Sequence, residues 1–532
     1  MQMGRKILYT DVPEITYENV IEVVRKALPG HEANATRIDY LLRYDAGEQP
    51  LPRVKQTKTW IDVQCVDNVA NEISKFHIGY KWGVPITIVQ RGEKDNGTED
   101  ETKAISLLNE CYESQSIRKK TQELARFVEI CGIGYTYVDV NMEYEEDSGD
   151  SYFTVDVLDP ETAFVIHSSY YRDKRPMLGV TYRKDEKGNR YFSCFSKDRR
   201  FEIKNLMEIE NGEITGKTTW GHDLRSGEEN PLHRVSIIEW IRDFDRMGCF
   251  ERQIDDMDCL NLIESDICNA SEEAVNSIWH CNDVEFPTEV IKMGDGTEKE
   301  VPQKPKNNEW LQTFTTKDGK TPFVTPLATN FDYEGNLNYA ITKRALILQK
   351  ADVPSRGSAS GGNTGLALDT ASGANNTEAV ASSQQNITEG CKMEEIKVVL
   401  AAIRESPFVP ADSPLLKLRY RDVQPNIKRN KSYEMSTKAN CFSTLVSHGI
   451  NGYHALKVVN MFDDVNQVYA DSAELIEKYQ NSIFDKTTGN EAVGGDGEQK
   501  PNADRTMQDE SDQETNSPNL SGKETTQGLG RK

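Results

Sequence analysis

The strongest constraint on this chain is a pattern of charge and hydrophobicity that runs from Gln253 to Asn276. Apolar side chains recur at gaps of three and four residues, which defines one face of a helix. They are Ile254, Met257, Leu260, Ile263, Ile267, Ala270 and Ala274. The same stretch contains no lysine or arginine and seven carboxylates, Asp255, Asp256, Asp258, Glu264, Asp266, Glu272 and Glu273. The pattern predicts a long helix that packs along one face and is acidic on the other.

The segment that follows breaks the helical period and then restores it. Residues 283–329 contain five prolines and two glycine turn signals, with strand-like runs at 289–292 and 310–314. A second predicted helix has its apolar positions at Leu337, Ile341, Ala345 and Leu348 and ends before Pro354. Residues 355–365 contain no large apolar side chain. We therefore predict a small β-containing module on two helices, followed by a mobile loop.

Length, charge and cysteine usage limit the classes of protein that remain. The 532 residues allow several domains, and a net charge of −23 with a pI near 5.0 argues against a protein that grips nucleic acid by neutralising phosphates. We find no apolar run of about 18 residues and no signal sequence, and we expect a soluble protein that stays where it is made. The ten cysteines form no C-x-x-C pair, which predicts reduced core thiols without a disulfide framework or zinc.

The first 80 residues are predicted to form helices with a packing role. One helix has the apolar positions Tyr17, Val20, Val23, Val24 and Leu28 and ends at Pro29 and Gly30. A short second helix contains Ile38, Leu41 and Leu42. A third begins at Asp62 and closes at Gly79, and the glycine and proline of 80–89 then mark a turn into a strand.

The next region is predicted to be a helix followed by an antiparallel sheet. Gly132 and Gly134 come after the helix 117–130 and before a strand, the reverse of the order in a dinucleotide-binding fingerprint, so we interpret them as a helix stop. Alternating runs and tight turns then predict strands with one solvated face. These strands are 155–159, 163–166, 177–183 and 191–195.

The C-terminal part is predicted to be helical before it loses its apolar residues. Helical periodicity covers 366–405, with bends at Gly373 and Gly390, and a strand is predicted at 416–420. A cluster of helices occupies 428–484, the first of them stopped at Gly449. From Asp485 onward the composition cannot offset chain entropy by burial, which predicts disorder.

Several motifs, taken in order, resemble those of portal proteins of tailed bacteriophages, of the type found in siphophages of Gram-positive hosts. The resemblance covers residues 60–480 and is strongest at 79–89, 131–140, 155–183, 250–269 and 361–368. Within 250–269 it includes Phe250-Glu251, Asn261, Ser265-Asp266 and Asn269. Residues 230–240 are similar to the family's return towards the stem. They differ from it at His233 and Ser236, where the family usually has glycine and proline.

The resemblance implies an α+β, multi-domain portal fold that forms a ring. Its expected parts are an N-terminal helical segment (1–50), a β-rich wing (51–250), a first stem helix (251–281), a clip (282–330), a second stem helix (331–354), a tunnel loop (355–364), a wing return (365–427), a helical crown (428–484) and a disordered tail (485–532).

The same resemblance implies which residues meet DNA and which line the pore. The tunnel loop is expected to contact DNA in the channel through Ser355, Arg356, Ser358, Ser360 and Asn363. The stem is expected to face the lumen or a neighbouring subunit through Asp255, Asp256, Asp258, Glu264, Asp266, Lys343, Arg344 and Lys350. Lumen carboxylates would repel the duplex and reduce sticking.

The resemblance also implies partners and a location. The ring would be a dodecamer at one capsid vertex of the virion, made in the host cytoplasm, and would nucleate procapsid assembly with major capsid and scaffolding proteins. The large terminase subunit would dock on the clip during packaging, and head-completion adaptor proteins would replace it. Double-stranded DNA would pass through without sequence recognition. No cofactor, metal or membrane is expected.

Two other functions stay open at this point. One is another structural head-tail adaptor or tail protein, and the other is a metal-dependent enzyme that uses carboxylates of the acidic helix. The chain contains no P-loop, H-E-x-x-H, G-x-S-x-G or kinase motif, and its eight histidines are scattered. A portal subunit without enzymatic activity is therefore our first hypothesis.

Overall fold

The computed structural model of the chain describes residues 4–51, 62–91, 99–145, 149–170, 174–210, 213–275, 278–282, 284–285, 288–292, 298–302, 314–315, 323–327, 331–354, 374–429, 435–459, 462, 465, 468–469, 472–476 and 478–479. The chain consists of two compact units, Met1–Lys431 and Ser432–Lys532. Helices and strands are mixed along the first unit, which confirms the predicted α+β class.

The described helices and strands follow one another along both units. The helices are α1 (Val20–Asp45), α2 (Val69–Trp82), α3 (Glu99–Glu113), α4 (Ile117–Cys131), α5 (Ile254–Val275), α6 (Tyr333–Lys350), α7 (Ala374–Glu405), α8 (Met435–Ser447) and α9 (Gly452–Val459). The strands are β1 (Leu8–Thr10), β2 (Thr87–Gln90), β3 (Ile133–Val140), β4 (Phe153–Leu158), β5 (Ala163–Ser168), β6 (Pro176–Lys184), β7 (Arg190–Ser196), β8 (Arg199–Glu210), β9 (Glu213–His222), β10 (Glu228–Glu229), β11 (Ile237–Ile241), β12 (Ile278–Asn282), β13 (Val284–Glu285), β14 (Thr288–Lys292), β15 (Glu298–Pro302), β16 (Phe314–Thr315), β17 (Phe323–Leu327) and β18 (Val423–Asn426).

The largest sheet has seven strands in the order β1-β5-β6-β7-β8-β10, with β9 paired to β8. Its pairs are antiparallel, apart from β1, which runs parallel to β5. Apolar side chains of β5 to β8 pack against the first half of α1 and form one core. Three of the four predicted strands, 163–166, 177–183 and 191–195, are confirmed as the antiparallel neighbours β5, β6 and β7. The fourth, 155–159, falls in β4 of another sheet, and the long hairpin β8–β9 was not predicted.

Helix α1 corrects the prediction for the N-terminal region. The sequence predicted a stop at Pro29 and Gly30, but one 26-residue helix runs through both. Proline removes a single backbone hydrogen bond, and the apolar face continues past it to Ile38, Leu41 and Tyr44, all fully buried. Gly30 has a different use, because a Cβ there would lie 2.8 Å from Cδ2 of Leu8. The Leu8 side chain of strand β1 therefore lies directly against the helix at Gly30.

A second core joins a three-stranded sheet, β11-β3-β4, to α3, α4 and α7 and to the ribbon formed by β2 and β18. Helix α3 was not predicted. The predicted glycine stop is confirmed at Gly132, which follows α4 with φ +77°. A Cβ there would lie 2.6 Å from the backbone of Arg246, so the site excludes other residues by space as well as by conformation.

Three further boundaries differ from the predictions. The helix expected from Asp62 begins at Val69, where Asn68 caps it, and continues through Gly79 to Trp82. The strand expected at 416–420 is a 3-10 turn over Pro414–Lys417, because Ser413 caps that turn and proline begins it. The pairing strand of this region is β18. Helix α7 lies within the predicted helical region 366–405 and continues through Gly390, while Gly373, the other expected bend, lies outside the described residues.

The excursion between α5 and α6 consists of nested antiparallel pairs. Strand β12 pairs with β17, β13 with β16, and β14 with β15, so the chain runs out and returns beside itself. The predicted strand at 289–292 is confirmed within β14. Of the predicted strand at 310–314, all but Phe314 lies outside the described residues.

The second unit contains α8 and α9. Gly449 follows α8 with φ +85°, which confirms the predicted stop. The third helix predicted in this region is described only in part, and residues 485–532, for which disorder was predicted, lie outside the described residues.

Candidate functional site

Helices α5 and α6 form an antiparallel pair. Near one end, the Tyr333 hydroxyl donates a hydrogen bond to the Ala270 carbonyl at 2.9 Å. Near the other, Gln253 Nε2 donates to the Lys350 carbonyl at 3.3 Å. The two helices that the sequence predicted to be the legs of one module are therefore neighbours in the fold.

The buried face of α6 is not the one that its apolar period suggested. Ala340 and Ile347 are buried in one cluster with Ile254, Met257 and Leu260 of α5. By contrast, Leu337, Ile341 and Ala345 are exposed in the single chain. Of the four predicted apolar positions, only Leu348 packs against this cluster, partly buried. The period indicated a helix but could not say which apolar side chains α5 would cover.

Charged side chains link the two helices. Lys343 Nζ lies 2.6 Å from Asp256 Oδ1, and Lys350 Nζ lies 2.7 Å from Asp256 Oδ2. Hydrogen bonds from these two ammonium groups lower the pKa of Asp256. One carboxylate on α5 thus forms ion pairs with two lysines that lie two helical turns apart on α6.

The third basic residue of α6 has partners in another part of the chain. Arg344 Nε lies 2.8 Å from Asp67 Oδ2, and Arg344 Nη2 lies 2.5 Å from Glu72 Oε2. The sequence proposed that the three basic residues pair with neighbouring subunits or line the pore. Within the chain they already have carboxylate partners, so their pairing does not need a second subunit.

The other predicted stem carboxylates have different surroundings. Asp258 accepts a hydrogen bond of 2.8 Å from the Tyr44 hydroxyl of α1, and burial raises its pKa. Burial, together with the charge of Asp67, raises the pKa of Glu264. Asp255 and Asp266 are exposed. Some carboxylates of the acidic face are therefore partly buried within the subunit, and others are exposed to solvent.

An extended segment, residues 62–68, lies along α5, and we call it the clasp. Asn261, Ser265 and Asn269, spaced by four residues, present their side chains on one side of the helix. Asn269 accepts from Val63 N at 2.8 Å and donates to Val63 O at 3.1 Å. The Asn269 side-chain amide thus bonds both the N–H and the C=O of one residue, as a neighbouring strand does in a β-sheet.

The other two side chains continue the same contact. Ser265 Oγ accepts from Cys65 N at 3.0 Å, and Asn261 Oδ1 accepts from Asp67 N at 2.9 Å. The sequence predicted a helix from Asp62 and missed the clasp. The signal in the sequence was the spacing of three polar residues at i, i+4 and i+8 on one side of the helix. In the structure these side chains are buried, and buried polar groups need hydrogen-bond partners.

A buried ion pair fixes the base of α5. Glu251 accepts two hydrogen bonds from Arg5 Nη2, at 2.5 and 2.6 Å, and one from Gly248 N at 3.0 Å. Arg37 of α1 lies 3.2 Å from the same carboxylate. The Arg5 and Glu251 side chains are 1% and 0% exposed, so this attachment of the N-terminal segment is shielded from solvent.

The residues on either side of segment 355–373 are joined to each other. Thr377 Oγ1 donates to Asp352 O at 2.7 Å, and Asn376 Nδ2 donates to Asp352 Oδ1 at 3.0 Å. His77, whose pKa burial lowers to about 3, contacts Ala351 O at 2.8 Å through Nε2. The predicted DNA-contacting residues Ser355, Arg356, Ser358, Ser360 and Asn363 all lie outside the described residues.

The outer surface of α6 carries two exposed apolar edges. Leu337 and Ile341 are 53% and 59% exposed and stand one helical turn apart. Tyr339 and Leu346 are 54% and 45% exposed on another side of the helix. Such side chains on a helix that already has its intrachain partner mark a surface suited to a further protein contact.

Neither a metal site nor a membrane helix is found in the described part of the chain. No group of three or more His, Cys, Asp or Glu side chains there is arranged to hold a metal ion. The carboxylates of α5 are spread along the helix. No described helix combines the length and apolar character needed to cross a bilayer.

These features define a class of structural subunit. Its members have an α+β body with an antiparallel helix pair packed on it, and nested pairs of strands connect the two helices. Comparison with protein families identifies the member of this class. A family model described as "Phage portal protein, SPP1 Gp6-like" matches residues 25–482, so the chain belongs to the phage portal protein family. Comparison with curated proteins gives no match.

Family membership confirms the resemblance to phage portal proteins, whereas the siphophage type and the Gram-positive host stay predictions. The family is structural and is not an enzyme family. Its members are components of the virion capsid and form homo-oligomeric rings that work with capsid and terminase proteins.

Proposed function

We propose that this chain is the subunit of a dodecameric portal ring at one capsid vertex, in a siphophage of a Gram-positive host. The ring is the conduit through which double-stranded DNA is packaged and ejected, without sequence recognition. It is made in the host cytoplasm, and it nucleates procapsid assembly with major capsid and scaffolding proteins.

The observation that carries the proposal is the exposed apolar surface of α6. A closed ring built from one kind of subunit uses heterologous interfaces, so each copy needs two different surfaces for its two neighbours. The edge with Leu337 and Ile341 and the edge with Tyr339 and Leu346 can each serve one neighbour. Covering such side chains favours assembly by about 25 cal/mol per Å² of apolar area.

The joined residues beside segment 355–373 support the proposed tunnel loop. Because Asp352 is bonded to Asn376 and Thr377, the described residues before and after the segment lie next to each other. We propose that its polar residues, with Arg356 as their cation, touch DNA phosphates weakly as the duplex moves.

The nested strand pairs between α5 and α6 support a clip. They lie on a β-rich excursion between two packed helices, and we propose that the large terminase subunit docks there during packaging. Head-completion adaptor proteins take the same position afterwards. The exposed carboxylates Asp255 and Asp266 are proposed to face the lumen, where their charge repels the duplex.

The test uses electron microscopy and native mass spectrometry of the full-length protein. Wild type is expected to form twelve-subunit rings, whereas a variant with Leu337→Glu and Ile341→Glu stays a folded single subunit. The variant should keep its circular dichroism spectrum, because both side chains are already exposed in one chain. Its melting temperature should fall below that of the ring, since the stabilisation from assembly is lost.

Thr342→Glu is the matched control, since Thr342 is exposed on the polar strip between the two apolar edges of the same helix. Rings should survive that substitution. A wild-type protein that stays monomeric at high concentration, or rings that persist in the double variant, would contradict the proposed interface.

A further inference from the structure

The clasp brings two thiols together that are 203 residues apart in the chain. The Sγ atoms of Cys65, in the clasp, and Cys268, on α5, lie 3.3 Å apart, and the Cys65 thiol donates to the Cys268 sulfur. Both cysteines are free and partly exposed to solvent. They differ in this from Cys111, Cys131, Cys194 and Cys249, which are buried.

The hydrogen bonds of the clasp hold this pair in position. The backbone of Cys65 is bonded through N and O to Ser265 Oγ, at 3.0 and 3.3 Å. Asn269, next to Cys268, holds both backbone polar groups of Val63. The backbones on either side of the sulfurs are therefore fixed before any reaction, which favours bond formation between the two sulfurs over reaction with more distant thiols.

We propose that Cys65 and Cys268 are a reversible oxidation site, which closes to a disulfide in the presence of a small disulfide oxidant and fastens the clasp covalently to α5. A thiolate of the pair attacks oxidised glutathione and releases one reduced glutathione, leaving a mixed disulfide. The other cysteine loses its proton, attacks the protein-bound sulfur and releases the second glutathione. The protein gives up two electrons and two protons, which reduce glutathione disulfide to two thiols.

The surroundings set when this reaction occurs. The hydrogen bond with Cys268, together with burial, raises the pKa of Cys65, so less of its thiolate is present near neutral pH. A reducing host cytosol keeps the pair as thiols, and an oxidising medium outside the cell closes it. Once closed, the link joins α5 to the segment that leads into α2, and so fixes the position of the clasp on that helix.

The experiment treats the full-length protein with oxidised glutathione and analyses it by intact mass and by non-reducing peptide mapping. Wild type is expected to give a linked peptide pair that contains Cys65 and Cys268, two hydrogen atoms lighter than the sum of the two reduced peptides. The exposed Cys441 can add glutathione, and this addition is located by the same peptide map. Reduction should restore the original mass. The melting temperature of the oxidised form should rise by several degrees, because the crosslink closes a long loop in the unfolded chain.

Single variants separate this reaction from general thiol oxidation. Cys65→Ser and Cys268→Ser should gain glutathione on the remaining cysteine and show no linked pair. Cys259→Ser, at a partly exposed site on the same helix, should behave as wild type. If wild type stays unreacted, gains glutathione without forming the linked pair, or links other cysteines instead, the proposal is wrong.

Discussion

His233 occupies a backbone conformation that suits glycine. Its φ of +47° lies in the left-handed region, where a Cβ costs about 1–2 kcal/mol. Its imidazole is 60% exposed and 4.0 Å from Asp198, so the side chain gains little in return. The resemblance led us to expect glycine at this position, and the left-handed backbone is a conformation that glycine adopts without this cost.

Ser236, three positions further on, stands where the resemblance led us to expect proline. Ser236 is fully buried, and its hydroxyl has no hydrogen-bond partner in the described part of the chain. Its carbonyl accepts from Val138 N at 2.9 Å, which ties β11 to β3. The backbone of Ser236 thus serves the sheet, whereas its side chain adds an unpaired polar group to the interior.

The substitution His233→Gly should therefore stabilise the protein. We expect the free energy of unfolding to rise by about 1 kcal/mol, because the left-handed backbone is no longer penalised. Urea denaturation of both proteins measures the difference. His233→Ala serves as the control and should give no gain, since alanine keeps the Cβ. A loss of stability in the glycine variant would show that the imidazole matters more than the backbone.

At the scale of elements, the contact between α5 and α6 combines a small apolar face with one shared carboxylate. Asp256 is 27% exposed and binds two lysines, of which Lys350 is 56% exposed. Solvent screens such a pair, so its contribution is expected to be about 0.5–1 kcal/mol. The clasp and the buried attachment of Glu251 to Arg5 provide further contacts within the chain that hold α5 in place.

The lowered pKa of Asp256 predicts how acid affects this pair. A carboxylate with a folded pKa below its unfolded value stabilises the fold above the unfolded pKa, and this contribution is lost as pH falls through the folded pKa, below about 4. Asp256→Asn should lower stability by about 0.5–1 kcal/mol at pH 7 and by less in acid. Denaturation midpoints at pH 7 and at pH 3 measure this change.

Asp255→Asn is the control for this pH dependence. Asp255 is its exposed neighbour on the same helix turn, and its substitution should leave the difference between the two pH values close to that of wild type. Equal losses for Asp256→Asn at both pH values would mean that the two lysines do not depend on the charge of Asp256.

At the scale of the whole molecule, the charge balance decides how the protein meets DNA. A net charge of −23 on 532 residues leaves no excess of cations to replace the counterions of a duplex. A DNA channel needs this lack of excess positive charge, since a duplex that binds the channel wall would not move through the channel. Weak interaction with DNA is therefore an expected feature of the proposed function.

We predict that the full-length protein binds duplex DNA weakly and with little dependence on salt. Fluorescence anisotropy over a series of salt concentrations should give a slope of log K against log salt close to zero. A variant with Asp255→Lys and Asp266→Lys should bind more tightly and with a steeper slope if these exposed residues face the lumen. Tight binding of wild type at low salt would contradict the proposed conduit.

Local sequence determined the elements whose signals are carried by neighbouring residues. The period of three and four residues located α5, and Gly132 and Gly449 located helix ends, because backbone conformation and side-chain spacing are set within a few residues. The order of motifs, together with the family match, gave the protein class. The predicted DNA-contacting residues of 355–364 stay a prediction.

Tertiary structure decided which partner each element meets. Pro29 lies within a continuous helix because buried contacts on both sides of it outweigh one lost hydrogen bond. The segment at Asp62 is extended because Asn261, Ser265 and Asn269, about 200 residues away, bind its backbone. Leu337 and Ile341 follow a helical period yet remain exposed, because α5 covers Ala340 and Ile347 instead. A pattern along the chain shows that a side chain needs a partner, and only the packed fold selects that partner from distant parts of the sequence.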